Sequence, residues 1–153
     1  MGALRAIWIS VGGHTNKLVQ VDPMTGQIKR TMSSPSDLGP VDLDFFQGTL
    51  WLSSGTGTIF ALDPTTGGID HMLSVPSGFS GRDYGVAVRA SEIWIGALFG
   101  GMCVEDPVTG AALSEVVHDD GTQLARAEIG ASLFIGSQLV TATGRGITYY
   151  DVN

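Results

Sequence analysis

Short runs of apolar residues, five to eight long, alternate along this chain with clusters of Gly, Pro, Asp and Thr. Between residues 41 and 75 four such runs follow one another: Val41 to Phe46, Thr49 to Ser53, Thr58 to Asp63 and Gly68 to Val75. The clusters between them are Gln47-Gly48, Gly55-Thr56-Gly57 and Pro64 to Gly67. Runs of this length, bounded by turn residues, predict antiparallel strands joined as a meander. No window longer than about ten residues carries the 3.6-residue period of a helix, and Pro and Gly punctuate the whole chain.

The four-run unit recurs. Asp22-Pro23-Met24-Thr25-Gly26, Asp63-Pro64-Thr65-Thr66-Gly67 and Asp106-Pro107-Val108-Thr109-Gly110 share the pattern D-P-x-T-G, with their aspartates 41 and 43 residues apart. A degenerate fourth copy, Ile147 to Asp151, places Asp151 another 45 residues on. A second landmark keeps the same beat: Trp8, Trp51, Trp94 and Phe134, each between Ile or Leu neighbours, at spacings of 43, 43 and 40. Four strands per period of about 40–45 residues is the arithmetic of a β-propeller blade. The expectation is a single all-β domain over residues 1–153, with four-stranded antiparallel blades at about 1–35, 36–77, 78–118 and 119–153. The third blade reads Tyr84 to Arg89, Glu92 to Ala97, Gly101 to Asp106 and Ala111 to Val117. The first reads Leu4 to Ser10, Lys17 to Asp22 and Gln27 to Met32, without an innermost strand; the fourth reads Leu124 to Ile129, Ser132 to Ser137 and Gly146 to Val152, without an outermost one. Such unfinished ends leave exposed strand edges, so self-assembly into a homo-oligomer, a dimer in the simplest case, is expected to complete the ring.

The recurring residues have physical reasons. Proline presets the first corner of a turn, glycine supplies the positive φ that a hairpin bulge needs, and the aspartate and threonine oxygens accept backbone N–H groups. One large ring per blade, flanked by aliphatic residues, reads as filling between neighbouring blades. Ile7-Trp8-Ile9 followed by Asn16 to Asp22, Pro23, Thr25 and Gly26 resembles the blade pattern of streptogramin (virginiamycin B) lyase-like propellers and their quinoprotein-like and NHL-type relatives. The resemblance implies a propeller in a short, roughly four-blade form. It also implies, for the lyases, a histidine base with a divalent metal, but no segment here matches their catalytic stretch, and no catalytic residue carries over.

Glycine is 22 of 153 residues, about 14% against a usual ~7%, as many tight turns require. Lys and Arg number 8 against 15 Asp and Glu, and a net charge of −7 argues against nucleic acid and anionic membranes as partners. Cys103 stands alone, which excludes an internal disulfide and a cysteine-rich zinc site. No stretch approaches the ~20 apolar residues of a membrane-spanning helix, and the first residues lack a signal-peptide layout, so the expectation is a soluble, cytoplasmic protein.

Propellers bind ligands where innermost strands and their loops meet the central channel. The candidates there are Asp42 and Asp44, Arg82 and Asp83, and Arg126 and Glu128. His118-Asp119-Asp120 is the one cluster with the donor types of a divalent-metal site. With no nucleophile elbow, phosphate loop or paired-carboxylate motif, the expected function is a non-enzymatic binding or scaffold module for a small molecule, glycan or protein, without a cofactor. The alternative is a metal-assisted lyase or hydrolase.

Overall fold

A computed structural model describes residues 6–11, 15–35, 40–75, 84–97, 101–116, 129–143 and 146–151; within them the protein has fourteen strands and no helix. The first sheet holds β1 (Ile7–Val11), β2 (Lys17–Val21) and β3 (Ile28–Ser33). The second holds β4 (Pro40–Phe46), β5 (Thr49–Ser54), β6 (Thr58–Leu62) and β7 (Ile69–Ser74). The third holds β8 (Tyr84–Arg89), β9 (Glu92–Ala97), β10 (Gly101–Glu105) and β11 (Ala112–Val116), and the fourth β12 (Ile129–Ile135), β13 (Gln138–Thr143) and β14 (Gly146–Asp151). Each sheet is an antiparallel meander in chain order, and the four make a β-propeller of about four blades.

Turn chemistry sets the hairpins. Gln47 and Gly48 take φ of 47° and 89°, the two positive values that a tight two-residue turn between β4 and β5 demands. In the D-P-x-T-G turn, Asp63 Oδ1 accepts the N–H groups of Thr65 and Thr66 at 2.5 and 3.0 Å, and Gly67 N–H reaches Asp63 O at 2.8 Å. Asp22 and Asp106 do the same in their blades. Beside each turn the ladder slips by one residue, at Gln20/Val21, Ala61/Leu62 and Val104/Glu105, the bulge that a turn with left-handed glycine produces.

Both faces of the two central sheets are apolar, and each is buried against a neighbour. Leu50, Leu52, Phe60 and Leu62 of the second sheet pack on Trp8, Leu18 and Met32 of the first. Its opposite face sends Trp51, Ile59, Ala61 and Leu73 against Val86, Val88, Ile93, Ile95 and Cys103 of the third. The third sheet then lays Ala87, Trp94, Met102 and Val104 on Phe134, Leu139 and Tyr150 of the fourth. Strand alternation produces this directly, because Trp51 points one way and its neighbours Leu50 and Leu52 the other.

The fourth blade corrects the reading from spacing. Residues 132–137 are not its second strand: β12 runs to Ile135 and turns at Gly136, and the second strand is β13, whose residues the sequence reading left unassigned. Leu133 pairs with Val140 as Ala87 pairs with Trp94 and Asp44 with Trp51, so Val140 holds the tryptophan position and Phe134 belongs to the innermost strand. Phe134 still fills an interblade space, edge-on to Trp94 with ring centroids 5.9 Å apart. The strand proposed at 124–129 lies, except for Ile129, outside the described residues.

The turn glycines differ in what surrounds them. A Cβ on Gly67 would come within 2.9 Å of Met32 Sδ in the preceding blade, and one on Gly110 within 3.3 Å of Leu73 Cδ2, whereas Gly26 has nothing within 4 Å. All three have positive φ. Gly26→Ala is expected to lose about 1–2 kcal/mol from backbone strain alone, and Gly67→Ala more, because Met32 must also move; urea unfolding of both variants measures the difference.

Candidate functional site

The three innermost strands β4, β8 and β12 pack together around the axis, and β1 packs against β4. An innermost strand has no ladder partner on its axial side, so alternate N–H groups there would be left without acceptors. Asp42 and Asp44, two apart on β4, meet that need. Asp42 Oδ2 accepts Val86 N–H at 2.9 Å and Ser132 N–H at 3.0 Å, while its Oδ1 accepts Leu43 N–H at 2.9 Å. Asp44 Oδ2 accepts Val88 N–H at 2.6 Å and its Oδ1 accepts Phe45 N–H at 2.7 Å. One carboxylate thus ties three blades at the axis, and the second repeats the tie between two of them. The Ser53 hydroxyl accepts Asp42 N–H at 3.0 Å and holds the bulged start of β4 in place.

Burial raises the Asp42 carboxyl to about 6, against the pull of its three N–H donors and helped by the neighbouring charge of Asp44. Asp44 is raised for the same leading reason. A carboxylate committed to three backbone donors has little capacity left for a ligand. Of the other channel candidates, Arg82, Asp83, Arg126 and Glu128 lie outside the described residues, as do His118, Asp119 and Asp120. Among the described residues no group of three His, Cys, Asp or Glu side chains is placed to hold a metal ion.

Three features were not legible as sites in the sequence. Glu105, at the end of β10, is fully enclosed, neither carboxylate oxygen has a hydrogen-bond partner among the described residues, and desolvation raises it to about 6. It shares a face with Cys103, the face turned to the second blade. Ser132 and Thr141, paired across β12 and β13, likewise bury hydroxyl oxygens without partners among the described residues. The third is a side-chain clasp between blades. Arg30 donates from β3 to the carbonyl oxygens of Pro64, at 3.1 Å, and Thr65. His71 Nε2–H donates from β7 to Pro107 O at 2.7 Å. Arg30 and His71 each lie eight residues after their own turn aspartate, so the clasp repeats with the blades although the residue type does not. A further clasp joins the third blade to the fourth. Glu92 Oε2 accepts from Arg89 Nε at 2.8 Å and Trp94 Nε1 at 3.0 Å, and the Arg89 guanidinium lies 5.0 Å from the Phe134 ring centre.

No family model matches the chain, and no curated protein matches it in sequence. Solved structures do match in shape. The computationally designed Ika4 protein is 20% identical with a TM-score of 0.62, covering 95% of this chain and 86% of that one. The computationally designed Ika8 protein has the same identity and score, covering 98% of this chain but 44% of its own. BamB from Moraxella catarrhalis, at 19% identity and TM-score 0.56, is covered over 46% of its length by 94% of this chain. The chain therefore spans a little under half of the latter two, and the likeness establishes the propeller fold. It does not single out the streptogramin lyase-like group among propellers.

Asp42→Ala leaves three N–H groups without an acceptor and is expected to cost several kcal/mol, at about 1–3 kcal/mol per buried unsatisfied group; Asp42→Asn, which keeps one oxygen, is expected to cost less. Denaturant unfolding at pH 7 reads both. For pH, Asp42 and Glu105 both sit near 6 in the folded protein, above an unfolded carboxylate, so the folded state binds more protons between about 4 and 6. Their contribution to stability is fullest below the unfolded value and declines as pH rises through 6. The turn aspartates have the opposite sign: Lys29 and backbone N–H groups lower Asp22, and backbone N–H groups lower Asp63 and Asp106 below the ordinary 3.8, so their contribution fades under more acid conditions. Melting temperature is expected to rise from pH 7 to about 5 and to fall below about pH 4. Glu105→Gln should raise it at pH 7 and flatten the slope between 5 and 7, which a thermal-melt series across pH tests.

Proposed function

We propose that this chain is a non-enzymatic binding and scaffold module, a propeller unit that works through the surfaces it presents and contributes its blades to a larger ring. The observation that carries this reading is the use made of the axial carboxylates. In Asp42 and Asp44 the position where a propeller enzyme would hold reactive groups is occupied by acceptors for the backbone N–H groups of neighbouring blades. The repeated turns and clasps point the same way, since each spends its polar atoms on joining one blade to the next.

A scaffold of this kind binds a small molecule, glycan or protein without turning it over and needs no metal. Its thermal stability is expected to be unchanged by a chelator or by added Mg²⁺, Mn²⁺ or Zn²⁺, and equal in the wild type and His118→Ala. A divalent-metal-dependent rise in melting temperature that His118→Ala abolishes would replace this reading with the metal-assisted lyase or hydrolase.

A further inference from the structure

Four residues hold one position in the repeat, the place just before the turn aspartate: Val21, Leu62, Glu105 and Tyr150. Leu62 is fully buried against Trp8, Leu18 and Met32 of the first blade, and Tyr150 packs on Ala87, Trp94, Met102 and Val104 of the third. Glu105 is as enclosed as Leu62, but it carries a carboxyl group. It pairs with Ile93 in the ladder and shares a face with Cys103, so it stands in the apolar wall that receives Trp51, Ile59, Ala61 and Leu73 of the second blade. Neither of its oxygens has a hydrogen-bond partner among the described residues. In such surroundings a carboxylate costs far more than a carboxylic acid. Protonated Glu105 is therefore tolerated there, and the ionised form favours any state that lets water in.

The two sides of this junction are held differently. At the axis Asp42 and Asp44 tie it, accepting the Val86 and Val88 N–H groups at 2.9 and 2.6 Å. Farther out, where Glu105 lies, the polar tie is the His71 Nε2–H bond to Pro107 O at 2.7 Å, two residues along the chain from Glu105. The ionisable groups on the facing elements are thus Asp42 and Asp44 on β4, committed to backbone N–H groups, and His71 on β7, committed to Pro107. On the third blade itself Glu115 stands opposite Cys103 in the β10–β11 register.

We infer that Glu105 makes this junction an acid-closed latch: when neutral it lets the second and third blades seal against each other, and when ionised it opens their outer halves while the axis stays tied. The other two junctions, with Leu62 and Tyr150 at the same position, have no such group there and stay shut. The latch goes beyond the scaffold reading, since it works whatever the module binds.

Cys103, 1% exposed and two residues from Glu105 on the same face, reports the opening through its reaction with a dipyridyl disulfide, which modifies thiols in acid as well as at neutral pH. At each pH the Cys103 rate in the wild type is divided by that in Glu105→Gln, which cancels the thiol's own pH dependence. Burial raises Glu105 from 4.5 to about 6, so the closed junction is firmest below 4.5 and weakens up to about 6. The ratio is expected to climb about thirtyfold across that interval and to level off above it. A ratio that stays flat or falls as pH rises overturns the proposal. A second reporter separates local opening from unfolding of the whole blade. Val104, the next residue on β10, is 2% exposed and turned to the fourth blade. In a Cys103→Ser background, Val104→Cys is expected to give a flat ratio with and without Glu105→Gln; a rise equal to that at Cys103 overturns the latch. Should Glu105→Gln fail to fold, Glu105→Leu, with the residue that the second blade has there, reads the same ratio. A metal-dependent melting temperature, which would overturn the scaffold reading, leaves these expectations unchanged.

Discussion

A β-sheet that is apolar on both faces cannot stand in water, and this constraint organises the protein. The sheets formed by β4–β7 and β8–β11 are enclosed on both sides. Burying such a face removes apolar surface from water at about 25 cal/mol per Å², a driving force with little direction of its own. Direction comes from the pleat. Trp51 and Trp94 reach forward while Leu50, Leu52, Ile93 and Ile95 face back, so successive sheets interlock in a fixed order around an axis.

Polar atoms supply what apolar packing cannot, the angle and height at which one blade meets the next. At the axis the two β4 carboxylates receive N–H groups from β8 and β12 that have no ladder partner. At the rim, side chains on β3 and β7 donate to the proline carbonyl of the following turn. These contacts fix the second and third sheets at both axis and rim and commit their polar groups to structure.

Much of the fold was legible in the sequence. The D-P-x-T-G turns, the tryptophan spacing and the runs between them defined the blades, because hairpin formation depends on local turn chemistry and period-two alternation. The fourth blade was misread where local signals thin out. Val140 is no landmark, and Phe134 sits between aliphatic neighbours as the tryptophans do, so spacing alone moved the strand by half a hairpin. The candidate site was less legible. The sequence placed Asp42 and Asp44 on one face of an innermost strand, but their acceptor role involves residues up to 90 positions away.

What the sequence determined by itself is everything that repeats: strand lengths, turns, the inward and outward faces, and the number of blades. These are decided within one period, by interactions among near neighbours along the chain. The tertiary structure alone decided what those elements do to one another. It showed that the turns are also docking points, since Gly67 abuts Met32 and the Pro64 carbonyl receives Arg30. It showed that Asp42 binds blades together and that Glu105 is enclosed with no partner among the described residues. It also showed that equivalent isoleucines and leucines are sealed in the middle blades and open at the ends. No local pattern distinguishes Ile9 from Leu52, because burial depends on which surface the rest of the chain brings against a residue.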